Sequence, residues 1–258
     1  MWVEYMVGMI RVFLVLLAML APLRAEWIFS NNETLTAPTG LAFIRCVATD
    51  GNRRVDLHVV SFSAKTHTFA VMDNPDGAFD LGSASAKRGA LAAVNGGYFH
   101  PDRTPLGLVV RQGGTIHPLE RAKLLSGLVV VKKDRVALLR TSEFRASAEV
   151  REALQAGPFL VDGGKAVAGL NDTRGAARTV VFADGSGNFG VLICRSATLA
   201  ETGRLLASPG LLPAGKITRA LNLDGGSSTA LWVKCEPSAF YSREWKGVRN
   251  YLAILPRK

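Results

Sequence analysis

The sequence predicts an α+β fold: a single domain of mainly antiparallel or mixed β-sheet with a few packed helices. Three observations carry this. Short runs of alternating apolar and polar residues recur across Gly-rich or charged turns. Only two or three stretches have helical spacing. Strands and helices nowhere alternate regularly, as a parallel sheet would require. The 258 residues, 48% hydrophobic and 20% charged, suffice for one large core. No repeat of fixed period and no domain boundary interrupts the chain.

Residues 1–25 read as a signal peptide. Arg11 precedes the apolar run from Val12 to Ala21, which is too short for a comfortable membrane span. Pro22-Leu23-Arg24-Ala25 then offers a small residue before Glu26. Initiation at Met6 or Met9 would give a more ordinary basic start. Export, with the periplasm as the expected location, would leave 26–258 as the mature domain, with no stable membrane span once the leader is removed. Residues 26–40 are polar and read as a loosely ordered lead-in. Strands follow at Val55–Phe62 and Thr66–Met72, and His58 and His67 read as exposed sheet residues. A short helix is expected within 83–93, leading into the apolar run Ala90–Val94.

Hairpins are expected from Leu106–Arg111 with Thr115–Leu119, and from Leu128–Lys132 with Arg135–Leu139. Residues 148–155 are rich in Ala, Glu, Leu and Gln, and predict a helix capped by Ser147. Gly157–Val161 reads as a strand running into Asp162-Gly163-Gly164. The clearest hairpin joins Arg178–Ala183 to Phe189–Cys194. Ser196–Ala207 is the expected main helix, with Ser196 as its cap, and Asn250–Leu255 is the last strand.

Lys and Arg total 31 against 21 acids, a net charge of +10. The excess is scattered, without the dense basic run and interleaved aromatics of a nucleic-acid groove, so nucleic acid is not an expected partner. It suits an anionic small or polymeric partner and a merely solvated surface equally well. Of three cysteines, Cys194 closes an apolar run and reads as buried. Cys46 and Cys235 are therefore the expected disulfide in an oxidising compartment. Their spacing is no metal pattern.

P-loop, dinucleotide and Gly-x-Ser-x-Gly signatures are absent. What recurs is an apolar strand ending in Asn or Asp and then Gly-Gly, at 94–97, 161–164 and 223–226. Asn222 and Asp224 are two apart, so on a regular strand they share a face. One reading is a set of ordinary turns in which Asp224 bonds nearby amides. The other gathers the three turns at one sheet edge into a pocket of backbone amides and carboxamides suited to anions or sugars. A hard divalent cation could sit between Asp224, Asp162 and backbone carbonyls, though no ligand spacing argues for one, and no cofactor is expected.

Four motifs occur in order: Asn95-Gly96-Gly97-Tyr98-Phe99, Gly157-Pro158-Phe159-Leu160-Val161, Ala177-Arg178-Thr179 and Asn222-Leu223-Asp224-Gly225-Gly226-Ser227. Together, from roughly Leu91 to Leu255, they resemble the phosphodiester glycosidase family, with Ser227 standing where a third glycine is frequent. The resemblance implies hydrolysis of a sugar-1-phosphodiester at the anomeric carbon, on a sugar-phosphate or anionic glycan. It implies Arg178 as phosphate ligand, because its planar fork matches phosphate. Asp224 becomes the catalytic carboxylate, as general base or as partner to a developing positive charge. Asn95 and Asn222 would orient sugar hydroxyls or that carboxylate. Gly96, Gly97, Gly225 and Gly226 would admit substrate closely, with Ser227 shaping the loop. From the residues themselves, Tyr98 reads as packing beside the substrate, and His100, a point of difference from the family, as lining the pocket. A non-catalytic glycan-binding or exopolysaccharide-assembly protein using the same pocket, and a phosphatase or phosphodiesterase cutting P–O, are the rival readings.

Overall fold

The computed structural model describes residues 27–257 except Asp134 and Ala214, with the side chain of Asn31 left aside. The expected leader lies outside the described residues. The first strands are β1 (Ile28–Leu35), β2 (Leu41–Thr49), β3 (Arg54–Ser63) and β4 (His67–Asp73). Helix α1 (Leu81–Arg88) and β5 (Ala92–Asn95) follow, then β6 (Val109–Arg111), β7 (Gly114–His117), β8 (Gly127–Lys132) and β9 (Arg135–Arg140). Next come β10 (Val150–Ala156), β11 (Phe159–Asp162), β12 (Lys165–Ala166), β13 (Ala176–Ala183), β14 (Asn188–Ala197) and helix α2 (Leu199–Ala207). The chain closes with β15 (Arg219–Asn222), β16 (Leu231–Val233), β17 (Phe240–Ser242) and β18 (Asn250–Pro256).

These strands form three sheets: an eight-stranded one ordered β1-β2-β3-β14-β13-β15-β11-β12, and two five-stranded ones ordered β7-β6-β10-β8-β9 and β17-β16-β5-β18-β4. The named pairings are antiparallel, so the expected α+β class holds. β3 and β4 follow one another directly yet belong to different sheets, so the chain crosses the core between them. One continuous core lies where the sheets face each other. It includes Phe43, Val60 and Val181 of the large sheet, Val129 and Leu154 of the second, and Val94 and Leu252 of the third. Burial of such side chains is the main term holding the sheets together.

The helices cover outer faces. α1 starts at Asp80, whose carboxylate accepts the Ser83 N–H at 2.8 Å, and stops at Gly89, φ 69°, with Lys87 and Arg88 in its last turn. Its Leu81 packs over Ala93, Tyr251 and Ala253 of the third sheet. α2 places Leu205 and Leu206 over Leu160 and Val161 of the large sheet.

Five expectations need correction. Residues 150–156 form a strand, not a helix, since β10 pairs on both sides, with β6 and β8. The helix-forming Glu152 and Gln155 are there as buried acceptors. Glu152 takes the Val71 N–H at 3.1 Å and the Gln112 N–H at 3.3 Å. Gln155 takes the Leu108 N–H at 2.8 Å. Tertiary pairing overrides local propensity. The polar lead-in is also ordered, because β1 pairs along β2. The cap of α2 is Thr198 rather than Ser196, in a reciprocal box: Glu201 N–H to the Thr198 hydroxyl at 3.0 Å and Thr198 N–H to the Glu201 carboxylate at 2.8 Å, while Ser196 still lies in β14. His67 is buried, with Nδ1 2.8 Å from the Thr66 hydroxyl. All three cysteines carry free thiols. Cys46 lies in the core under the large sheet, while Cys235 directs its thiol to the Thr36 carbonyl at 2.9 Å.

Candidate active site

The three sheets meet where β5 ends at Asn95, β15 ends at Asn222, β18 begins at Asn250, and Gly157 links β10 to β11. Register places these ends side by side: Asn95 opposes Tyr251 on β18, and Asn222 opposes Val180 on β13. Each apolar strand gives way there to carboxamides and glycines. The main chain turns away from one sheet and meets the next, and its N–H and C=O groups need partners that no ladder supplies.

The two Gly-Gly units are clamped to each other. The Asp224 N–H donates to the Gly96 carbonyl at 3.1 Å. Asn95, fully buried, donates its Nδ2 to the Asp224 carbonyl at 2.7 Å. Its Oδ1 accepts the Thr179 hydroxyl at 2.6 Å and the Ala230 N–H at 3.1 Å. Asn95 is therefore occupied within the protein and holds the Asp224 loop from beneath. Gly96 lies so close to β18 that an added Cβ would sit 1.9 Å from Asn250 Oδ1 and 2.8 Å from the Asn250 carbonyl. Gly97 donates its N–H to that Oδ1 at 2.9 Å. Gly225 presses on β13 in the same way, with a Cβ there only 2.7 Å from the Ala177 carbonyl.

The Asp224 carboxylate is half-buried at the centre of this frame. Its Oδ1 accepts the Gly225 N–H at 2.8 Å, and the Ser228 hydroxyl also bonds it. Burial nevertheless dominates, and the pKa rises above the usual carboxylate value. A single 3-10 turn, Gly226–Ser228, follows, with Gly226 at φ 62° and exposed along with Ser227. The Ser227 carbonyl accepts the N–H of Trp245 at 2.8 Å, and the Trp245 side chain stands 89% exposed.

Arg178 projects from β13 beside this loop. Nε donates to the Ala197 carbonyl at 2.8 Å and Nη2 to the Arg174 carbonyl at 2.7 Å. Backbone groups thus orient the guanidinium without forming an ion pair, and Nη1 bonds no atom among the described residues. Desolvation lowers its pKa, and the charge of Glu201 offsets only part of that. Tyr98 feels both neighbours: desolvation first, then the Asp224 charge, raise its pKa, while Arg178 lowers it. Its hydroxyl donates to the Gly157 carbonyl at 2.7 Å and accepts Asn222 Nδ2 at 2.9 Å. Asn222, 2% exposed, leaves Oδ1 without a partner among the described residues, and Asn250 likewise leaves Nδ2. Buried polar atoms of this kind cost about 1–3 kcal/mol each and recur where a site, rather than packing, dictates the residue.

The structure thus brings together Asn95, Gly96, Gly97, Tyr98, Arg178, Asn222, Asp224, Gly225, Gly226 and Ser227. His100 stands apart, exposed in the turn after β5, where its N–H bonds the Thr104 carbonyl at 2.8 Å. The third Gly-Gly unit does not join either. Antiparallel pairing sets Asp162 against Arg219, at the opposite end of β15 from Asp224. There Arg140 Nε holds the Asp162 carboxylate at 2.8 Å and Arg219 Nε at 3.4 Å, so Asp162 is not available beside Asp224 as a cation ligand. Ser228, Asn250 and Trp245 were missed in the sequence, and Thr179 stood in a motif without a role. Thr179 and Asn250 had a signal, each a lone polar residue within or opening an apolar strand.

Comparison with known proteins gives this geometry a context. Residues 88–255 match the phosphodiester glycosidase family. The chain belongs to the phosphodiester glycosidase family. Every residue of the site lies inside the matched span, whereas β1–β4 precede it. Two solved structures share the fold of this chain. A hypothetical protein from Synechocystis superposes with a TM-score of 0.62 at 16% identity, over 88% of this chain and 64% of that one. This chain therefore spans just under two thirds of the Synechocystis protein. The catalytic domain of zebrafish N-acetylglucosamine-1-phosphodiester alpha-N-acetylglucosaminidase, described as auto-inhibited by its pro-peptide, superposes with a TM-score of 0.60 at 18% identity, over 88% of this chain and 89% of that one. Among curated proteins no relative matches the sequence. Family membership supports a phosphodiester-glycosidase-like function.

Proposed function

We propose that the protein is an exported hydrolase that cleaves the glycosidic C–O bond of a sugar-1-phosphodiester in an envelope or extracellular glycan. The observation that carries the reading is that a desolvated carboxylate, Asp224, and a guanidinium oriented by backbone carbonyls, Arg178, both act on Tyr98 at one rim. The leaving group in such a linkage is a phosphomonoester anion, stable without a proton. One carboxylate can then suffice where ordinary glycosidases use two.

Arg178 Nη1 would grip the phosphate through charge-assisted bonds and stabilise the charge it gains as C–O breaks. Asp224, with its raised pKa, would take a proton from water as the water oxygen bonds to the anomeric carbon. The C–O electron pair then leaves on the phosphate, and sugar and phosphomonoester are released. The exposed indole of Trp245, tied to the Asp224 loop through Ser227, would cover one face of the sugar ring.

The test is to incubate the chain from Glu26 with a UDP-sugar and an alkyl glycosyl phosphate, following free sugar and phosphomonoester by NMR. Sugar release that vanishes in Asp224→Asn supports the reading. Folded protein that binds a sugar phosphate without turning over any of the panel would make it a glycan-binding protein instead. Hydrolysis in ¹⁸O-labelled water that places the label in phosphate would move the cut to P–O.

A further inference from the structure

Of the three sheets, two have helices on their outer faces and the third does not. Over β6, β8 and β10 the covering is made by two loops, residues 118–126 and 141–149. Between the loops lies a groove of about 960 Å³, a volume suited to a sizeable small molecule. Leu108, Val110, Val150 and Phe144 form its apolar floor. Among the described residues, the charged ones lining it are Arg121, Lys123 and Arg145, with no acid.

The acids of the two loops are engaged elsewhere. Glu120 accepts the Gly107 N–H at 3.1 Å. Glu143 is held by Arg219 at 2.6 Å, and Glu149 by Lys132 at 3.4 Å. Arg145 donates Nη1 to the carbonyls of Ser142 and Phe144, which fixes one end of its guanidinium at the rim without an acid to balance its charge. A hydrophobic trough beneath three uncompensated cations complements one kind of molecule: an apolar chain that ends in an anion.

We propose that this groove binds a single-chain anionic amphiphile, its chain along the Leu108–Val110 floor and its phosphate headgroup between Arg121, Lys123 and Arg145. The groove and the Asp224 site share one wall. A Cβ on Gly157 would lie 2.0 Å from the Leu124 carbonyl and 2.8 Å from the Ser126 N–H on the groove side, while the Gly157 carbonyl bonds Tyr98 on the other. The inference stands on the groove alone and holds whether or not Asp224 turns over substrate.

The test is calorimetric titration of the chain from Glu26 with dodecyl phosphate below its micellar concentration. Dodecyl maltoside and inorganic phosphate serve as comparisons. Dodecyl phosphate should bind at least about tenfold more tightly than either. Arg121→Glu/Arg145→Glu, both exposed and outside the catalytic frame, should weaken it by about tenfold or more with an unchanged melting temperature. Thr115→Trp, which fills the trough, should do the same. Equal binding of the neutral detergent, equal binding of inorganic phosphate, undiminished binding in both variants, or binding only to intact anionic vesicles would each overturn the proposal.

Discussion

Asn95 holds Asp224 by its backbone and not by its carboxylate: Nδ2 meets the Asp224 carbonyl at 2.7 Å. The same side chain receives the Thr179 hydroxyl and the Ala230 N–H on Oδ1. One carboxamide thus ties β5, β13, the Asp224 loop and the approach to β16 together. Asn95→Ala should leave buried donors on Thr179 and Ala230 unpaired, costing about 2–4 kcal/mol. Turnover should fall with it, because the carboxylate loses its backbone anchor. Thermal unfolding and steady-state kinetics on one preparation check both, and an unchanged melting temperature would contradict the role.

Asp224→Asn should separate stability from activity. The folded-state pKa of Asp224 lies above its ordinary 3.8. The native state therefore holds the proton more tightly than the unfolded chain, and stability falls as pH rises through that window. The Asn variant escapes this penalty. It should melt at the same temperature as the wild type or higher near pH 7, while turnover drops by about 10²–10⁴-fold. In the wild type the acid limb of kcat/KM should have its midpoint above the usual carboxylate value. A limb centred below pH 4 would remove Asp224 from the role of base.

Arg178→Lys keeps the charge and loses the planar fork. The ammonium cannot bond the Ala197 and Arg174 carbonyls and a phosphate at once, as the guanidinium geometry allows. A loss in kcat/KM of about 10–100-fold is expected, equivalent to the roughly 1.5–3 kcal/mol of a bond to a charged group. Competition by inorganic phosphate should weaken in parallel. Wild-type kinetics in this variant would remove Arg178 from the phosphate site.

Two glycines of the site should respond differently to alanine. At Gly96 the added methyl meets the carbonyl and side chain of Asn250, so β18 must shift, at about 1–3 kcal/mol or more. At Gly226 no heavy atom lies within 4 Å of the new Cβ. There the cost comes from φ 62° alone, about 1–2 kcal/mol. Denaturant titration of both variants should rank Gly96→Ala as the more damaging, and the reverse order would refute the packing account.

Asn-Gly-Gly and Asp-Gly-Gly were legible in the sequence because they break apolar runs abruptly, and the hairpins were legible from alternation across turns. What failed was whatever depends on register or on distant partners. Asp162-Gly163-Gly164 looks locally like Asp224-Gly225-Gly226, but only the antiparallel pairing of β11 with β15 shows that it faces Arg219 instead. β10 was hidden because Glu152 and Gln155 are helix formers by propensity, and their backbone partners, Val71, Gln112 and Leu108, lie more than forty positions away in most cases. β1 was hidden because its residues are polar, and its order comes from pairing with β2. Thr198 was passed over for Ser196 because β14 runs on through Ala197 before the helix begins.

The acceptor role of Glu152 reaches beyond the two sheets it joins. β4 is a border strand, paired with β18 on one side only. The Val71 N–H on its unpaired side is buried against β6 and β10 of the second sheet, where no ladder supplies a partner. The Glu152 carboxylate occupies that donor from within the same molecule. Its charge is also costly to bury, as its raised pKa shows. The side chain therefore serves as the ladder partner that β4 lacks, and the seam between the two sheets rests there on one ionisable group.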